Sequence, residues 1–199
     1  MTDPRKPIFD AIRNARGGRP FDQMEVGAVD NILDALDVPR AGQSPSANPI
    51  PDGYFDMLAR IESGNRPYIK AQTSSASGLF QFIRSTWRGE GGAWGGDMSK
   101  AFGGLRPSVE EQEQRARSFT MKNVTVLRNA GVPINSATLY AAHFLGAGTA
   151  VKMLTAPTGA SAAAIAGSSA AKANPSILGG GKTVQQFRDW LQRKTGVRP

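Results

Sequence analysis

The chain contains no cysteine. That absence excludes disulfide frameworks, zinc knuckles, iron–sulfur ligation and thiol nucleophiles together. Histidine is nearly missing as well, His143 being the only one, which removes most metal sites and leaves no metal or cofactor expected. The opening stretch MTDPRKPIFDAIRNARGGRPF has no apolar run of the length a secretory signal needs before Gly17, so no signal peptide is expected. The most apolar segment, Ala137 to Leu154, is interrupted by His143, by glycines and by Lys152, and makes a poor membrane span. A soluble protein without an integral membrane segment follows. Acidic residues are scarce too, 16 against 24 basic, giving a net charge of +8.

What remains is ordinary globular material. The 199 residues are 40% hydrophobic, 20% charged and 8% aromatic, enough for one main domain with a real core and a small appendage. The charge is divided unevenly. Residues 1 to 50 carry six basic and seven acidic side chains, whereas residues 51 to 199 carry eighteen basic and nine acidic. The larger part is therefore cationic, which predicts attraction to a polyanion: nucleic acid, an anionic membrane surface or the bacterial cell wall.

The spacing predicts two short helices first, over 7–16 with Ile8 and Ile12, and over 22–37 with Val26, Val29, Leu33 and Leu36. Gly17-Gly18-Arg19-Pro20 turns the chain between them. We read 1–38 as a small helical module, a candidate for docking to a wall or a partner. Residues 39–52 hold four prolines among small polar residues and read as a linker. Residues 53–199 form the main domain, mainly α, because apolar periods run near 3.6 and no alternating strands flank a tight turn. Tyr54, Leu58 and Ile61 line a helix stopping at Gly64. Leu79, Phe82, Ile83, Thr86 and Trp87 line a second, expected over Leu79 to Arg88. A longer helix begins at Ser108, three residues before Glu111, and ends near Gly131 and Pro133. Further helices are expected over Ser136 to Leu145, through Val151 and Leu154, in the Ala/Ser-rich stretch to Ala173, and over Thr183 to Lys194 with Gly196 beyond.

Chemistry is concentrated in Ile61 to Trp87, IESGNRPYIKAQTSSASGLFQFIRSTW. Glu62 falls in the last turn of a helix whose other face is apolar. The partial negative charge of a helix C-terminus and desolvation by aromatics such as Phe80, Phe82 or Trp87 would both raise its pKa, which suits a general acid at neutral pH. Read alone, a glutamate in that position is equally a surface residue at a frayed helix end. The polar loop Thr73-Ser74-Ser75 offers hydroxyls for an acetamido group or for Glu62, or is simply solvated.

Glu62-Ser63, a polar loop, Gly78-Leu79-Phe80-Gln81-Phe82 and Thr86-Trp87 resemble the soluble lytic transglycosylase family and its goose-type lysozyme relatives, in the phage-type branch. Downstream, Tyr140-Ala141-Ala142-His143-Phe144-Leu145-Gly146-Ala147-Gly148 is similar to the segment where many members have Ala-Tyr-Asn-Ala-Gly, with His143 in the place of the tyrosine. The resemblance covers about residues 53 to 154. It implies a lysozyme-like helical domain with Glu62 as the catalytic residue. It also implies that Ser63, Phe80, Gln81, Phe82, Tyr140 and His143 lie at the substrate, with Phe80 and Phe82 lining the groove; the polar loop adds Ser75, and Phe82 reads equally as core packing. The implied reaction is cleavage of peptidoglycan between N-acetylmuramic acid and N-acetylglucosamine to leave 1,6-anhydromuramoyl ends. A phage or prophage endolysin, made in the bacterial cytoplasm and reaching the wall through holin pores, virion delivery or dedicated secretion, is the implied setting.

The second carboxylate decides between reaction types. A two-carboxylate glycosidase needs an Asp or Glu within about 5 to 10 Å of its acid. None lies between Ser63 and Gly89; Glu90 and Asp97, in the Gly/Trp-rich loop, are the candidates that follow. A lone glutamate fits transglycosylase chemistry. The alternatives are a hydrolytic muramidase and a noncatalytic wall-binding or delivery component of a phage particle or secretion machine. Gly179-Gly180-Gly181-Lys182-Thr183 fails the phosphate-loop pattern, since Ser176 stands where a glycine is needed. No Gly-x-Ser-x-Gly elbow supports a serine hydrolase, and no zinc-finger or basic aromatic pattern supports nucleic-acid binding.

Overall fold

The computed structural model describes residues 3–35, 38 and 49–199. Among them the protein is mainly helical, and its only β pairing consists of isolated antiparallel bridges. No helix among the described residues is long and apolar enough to cross a membrane. The chain divides into two units, Met1–Pro49 and Ile50–Pro199. The division falls within the proline-rich stretch, of which 39–48 lie outside the described residues, and Ile50 already belongs to the second core at 3% exposure.

The first unit holds α1 (Lys6–Ala15) and α2 (Gln23–Ala35). Gly17 and Gly18 supply the positive φ values of the turn between them. Phe9 meets Phe21 edge to face at 5.3 Å, and Leu33 is buried. Arg5 is 3% exposed and pairs with Asp30 at 2.8 Å, so part of what holds this unit is ionic. Leu36, expected on the apolar face of α2, lies outside the described residues.

The second unit is built around α6 (Ser136–Leu145), which packs against α5 (Val109–Asn129), α7 (Ala147–Thr155) and α10 (Val184–Thr195). Ala137, Leu139, Tyr140, Ala141 and Ala142 are all buried; a helix apolar on every face belongs in the interior, and its alanines let three neighbours approach. Capping sets the boundaries. Ser108 accepts from Glu111 N–H at 3.1 Å, Asn135 and Thr183 each form a reciprocal capping box, and Gly196 closes α10 in a left-handed conformation. The small helices α8 (Ala162–Ala166) and α9 (Ser168–Ala173) occupy the Ala/Ser-rich stretch.

The region between α3 (Tyr54–Ser63) and α5 is different in kind. The helix expected over Leu79 to Arg88 is only its second half, α4 (Arg84–Gly89). Before it, Ser77 bridges both Lys70 and Phe82, and Gln81 takes φ 49°, so Leu79 to Phe82 form a turn. Tertiary contacts override the helical period here. Gly78, at φ 78°, lies where a Cβ would come within 2.4 Å of both Gln112 Oε1 and the Phe102 ring, so only glycine fits. Leu79 N–H donates to Gln112 Oε1 at 2.9 Å, and Gln112 Nε2 donates to the carbonyls of Pro67 and Pro107. One buried glutamine on α5 thus ties three loop segments. Ile83, expected inward, is exposed. A 3-10 turn at Ala101–Gly104 completes the region, anchored by Phe102 against Trp87 with ring centroids 4.7 Å apart.

Candidate active site

Tyr54, Leu58 and Glu62 follow one another at four-residue intervals and so share one stripe of α3. Leu58 and Tyr54 are sealed in the core, while Glu62, at the C-terminal end of the stripe, is half-buried. The end of the helix is fixed by its own bonds. Gly64 turns left-handed at φ 60°, and Asn65 N–H reaches back to the Ala59 carbonyl at 3.2 Å.

Burial raises the pKa of the Glu62 carboxyl; hydrogen bonding from the Tyr140 hydroxyl and the positive charge of Lys194 act in the opposite direction without cancelling it. The side chain therefore holds its proton to higher pH than a surface glutamate. Its charge acts in turn on two phenols. Tyr140 is pushed up by burial first, then by the charge and hydrogen bond of Glu62; Tyr54 is pushed up by burial, then by Glu62. The Tyr54 hydroxyl is buried and makes no hydrogen bond. Three elements, α3, α6 and α10, thus converge on one carboxyl.

Neither of the other candidate carboxylates is among the groups acting on Glu62. Glu90 is turned toward α5: both of its oxygens accept from Lys122 Nζ at 2.9 Å, and one also accepts from Ser118 Oγ at 2.8 Å. Asp97 is exposed and bound to Ser99 and Lys100. No acidic side chain is among the groups that act on Glu62. Nor do three His, Asp or Glu side chains come together among the described residues in a way that could hold a metal ion.

The remaining expected residues are placed unevenly. Tyr140 is the tyrosine on Glu62, one helical turn before His143 in α6. His143 lies behind it, its ring parallel to that of Tyr140 with centroids 6.5 Å apart and 5.6 Å from Phe82. Burial lowers its pKa to about 4, against a backbone hydrogen bond to Phe80 that favours protonation; the imidazole is neutral at physiological pH. His143 thus packs against Tyr140 and the Phe80–Phe82 turn, and the tyrosine on the carboxyl lies three residues upstream of it.

Phe80 and Phe82 are 3% and 4% exposed, which corrects the groove-lining role expected of them. Phe80 meets Phe55, and Phe82 meets Phe119 and Trp87, in one aromatic cluster of the core. Gln81 is partly exposed between them, its Nε2 donating to the Gly78 carbonyl at 2.9 Å. Ser63 is buried and spends its hydroxyl on backbone, donating to Ala59 O at 2.9 Å and accepting from Arg66 N–H at 3.2 Å. Ser75 Oγ accepts from Arg84 N–H at 3.0 Å and so caps α4 from outside. The rings shown to interact with Glu62 are the phenols of Tyr54 and Tyr140. Tyr54 was legible as core but also as a site residue, since it shares the i, i+4, i+8 stripe with Glu62; nothing local in the sequence singled out Lys194 or Gln112. A scan against protein-family models finds no family whose model matches this chain.

Proposed function

We propose that the second unit is a lysozyme-like peptidoglycan lytic transglycosylase, degrading the bacterial wall as a phage or prophage endolysin, with Glu62 as its single acid and base. One observation carries this reading: a carboxyl withdrawn from water at a helix end, with its pKa raised, a tyrosine hydroxyl on it and no second carboxylate acting on it. A group that keeps its proton near neutrality can donate it, and the same group, once ionised, is a base.

In the proposed reaction, protonated Glu62 gives its proton to the oxygen joining C1 of N-acetylmuramic acid to N-acetylglucosamine. The C1–O bond breaks and the acetylglucosaminyl hydroxyl leaves. Glu62, now a carboxylate held by the Tyr140 hydroxyl and by the field of Lys194, takes the proton of the muramoyl 6-hydroxyl as that oxygen closes on C1. The glutamate ends protonated, water is not consumed, and the muramoyl residue becomes a 1,6-anhydro end. The excess of positive charge in residues 51 to 199 supports attraction to an anionic wall.

Digestion of purified sacculi followed by mass spectrometry of the soluble muropeptides tests the proposal. Ends lighter by one water than the hydrated sugars are expected; hydrated reducing ends alone would assign a hydrolytic muramidase, and no soluble product would assign a noncatalytic wall-binding role.

A further inference from the structure

The loop region carries a second concave feature. A cleft of about 340 Å3 is lined by Tyr68, Lys70, Ser99, Lys100, Leu105 and Arg106, within the size range of small-ligand sites. Three of these six side chains are cationic, and the nearest counter-charge is Asp97, which pairs with Lys100 at 3.1 Å. Lys70 spends two of its donors on the carbonyls of Ala71 and Ser74. Arg106 is the cation left open. Its guanidinium sits 4.3 Å above the Tyr68 ring and has no ion pair among the described residues, while the Tyr68 hydroxyl donates to Pro107 O at 3.3 Å. A flat cation stacked on a tethered ring has lost much of its freedom before any ligand arrives.

The walls are built rather than incidental. Gly103 and Gly95 approach so closely that a Cβ on Gly103 would come within 2.2 Å of Gly95 O; Gly95 N–H donates to Phe102 O, and Asp97 N–H to Gly103 O, both at 3.0 Å. Phe102 adopts φ 52° there, a conformation costly for a non-glycine residue and held by its buried ring. Phe102 N–H donates to Ser77 Oγ at 3.1 Å, and Ser77 bridges Phe82, so the floor of the cleft and the turn bearing Gln81 are one hydrogen-bonded unit.

We infer that this cleft binds the carboxylate-bearing peptide stem of the wall polymer, with Arg106 as the fork that receives a carboxylate, Lys100 as a second cation, and Tyr68 and Leu105 as the apolar floor for the peptide. The inference rests on the proposed reading of Glu62 for the identity of the polymer. The reach is compatible: an extended chain covers about 3.3–3.6 Å per residue, so the segment from Glu62 to Tyr68 spans at most roughly 20 Å, and a four- or five-residue stem with its lactyl arm is of similar length. Such a site would favour strands that still carry their peptides over naked glycan.

A binding measurement tests this without any turnover. A synthetic stem tetrapeptide with free carboxylates is titrated, by calorimetry or by NMR shifts, into the wild-type chain and into Arg106→Gln, Lys100→Gln and the double variant. These residues are exposed at the surface, and circular dichroism checks that each variant is folded. Saturable binding that weakens about tenfold in Arg106→Gln, falls further in the double variant and is lost when the peptide's carboxyls are amidated is the expected result. No binding, or equal affinity in wild type and double variant, overturns the inference. A glycerol-phosphate oligomer bound more tightly than the peptide overturns it too, in favour of a phosphate polymer. Peptide binding without cleavage of sacculi would remove the catalytic reading and leave the anion-binding site standing.

Discussion

Two glutamates of the same domain are withdrawn from water, Glu62 at the end of α3 and Glu90 just past α4, and only one of them has been given a cation to hold. Glu90, with a side chain 6% exposed, receives Lys122 on both oxygens and the hydroxyl of Ser118 as well. Glu62 receives a phenol and feels Lys194 through space, and burial outweighs both. The contrast separates two uses of a desolvated carboxylate. Where its lone pairs are filled by charge and hydrogen bonds, burial makes a strut joining loop to helix; where compensation is left incomplete, the cost persists in the native state as a proton held above its ordinary range.

The comparison breaks most visibly at Glu62→Gln. Loss of the proposed acid and base is expected to lower muropeptide release by roughly 10^2- to 10^4-fold. The same variant should melt at a higher temperature than wild type near neutral pH. A raised native pKa means that the unfolded chain ionises first as pH rises, so stability falls across the interval between the unfolded and native values; a neutral amide is spared that loss. The difference in Tm should vanish below about pH 3, where both states keep the proton. Equal melting temperatures at every pH would show that Glu62 is not desolvated.

Tyr140→Phe sharpens the contrast by removing the hydroxyl that favours the carboxylate. The alkaline limb of the pH–rate profile should move to higher pH and turnover should fall by about tenfold. A limb that moves down would reverse the assigned sign. Glu90→Gln is expected to cost about 1–2 kcal/mol in denaturant unfolding, because Lys122 loses its charge partner, while muropeptide release stays within about twofold. Large loss of activity with stability intact would make Glu90 a chemical participant. Smallest of all, Tyr54→Phe should leave stability unchanged or up to about 1 kcal/mol higher, since the hydroxyl it deletes is buried and unpaired.

Much of the helical half was legible because its signals are local. Ser108, Thr183, Gly64 and Gly196 mark helix ends through bonds made within one turn, and α6 begins and ends where its pattern predicts. The loop half was not, and the reason is distance in sequence. Leu79 to Trp87 has a helical period, yet the partner that decides its conformation is Gln112, and no nearby residue announces it. The 3-10 turn around Phe102 has the same cause, its backbone being held by Ser77 and Gly95. At the site, the helix-end position of Glu62 was readable from spacing, whereas its choice as the candidate acid came from the resemblance of the motifs around it. The burial of Phe82 agrees with its place on the apolar face, whereas that of Phe80 was not readable, because a turn reverses which side of the chain faces inward. Tyr140 and His143 share a helix face three residues apart, and spacing alone cannot say which reaches across to α3.

The bonds that Ser63, Gly64 and Asn65 make at the end of α3 set where Glu62 stands by measuring from the helix terminus. Each residue of an α-helix advances about 1.5 Å and rotates about 100°, so inserting or deleting one residue between Gly64 and the glutamate would swing the carboxyl away from the phenol. Length added ahead of Ile50, whose buried side chain opens this core, leaves that count unchanged. The register of the carboxyl thus depends on the count backwards from the glycine and not on whatever chain is joined ahead of the domain.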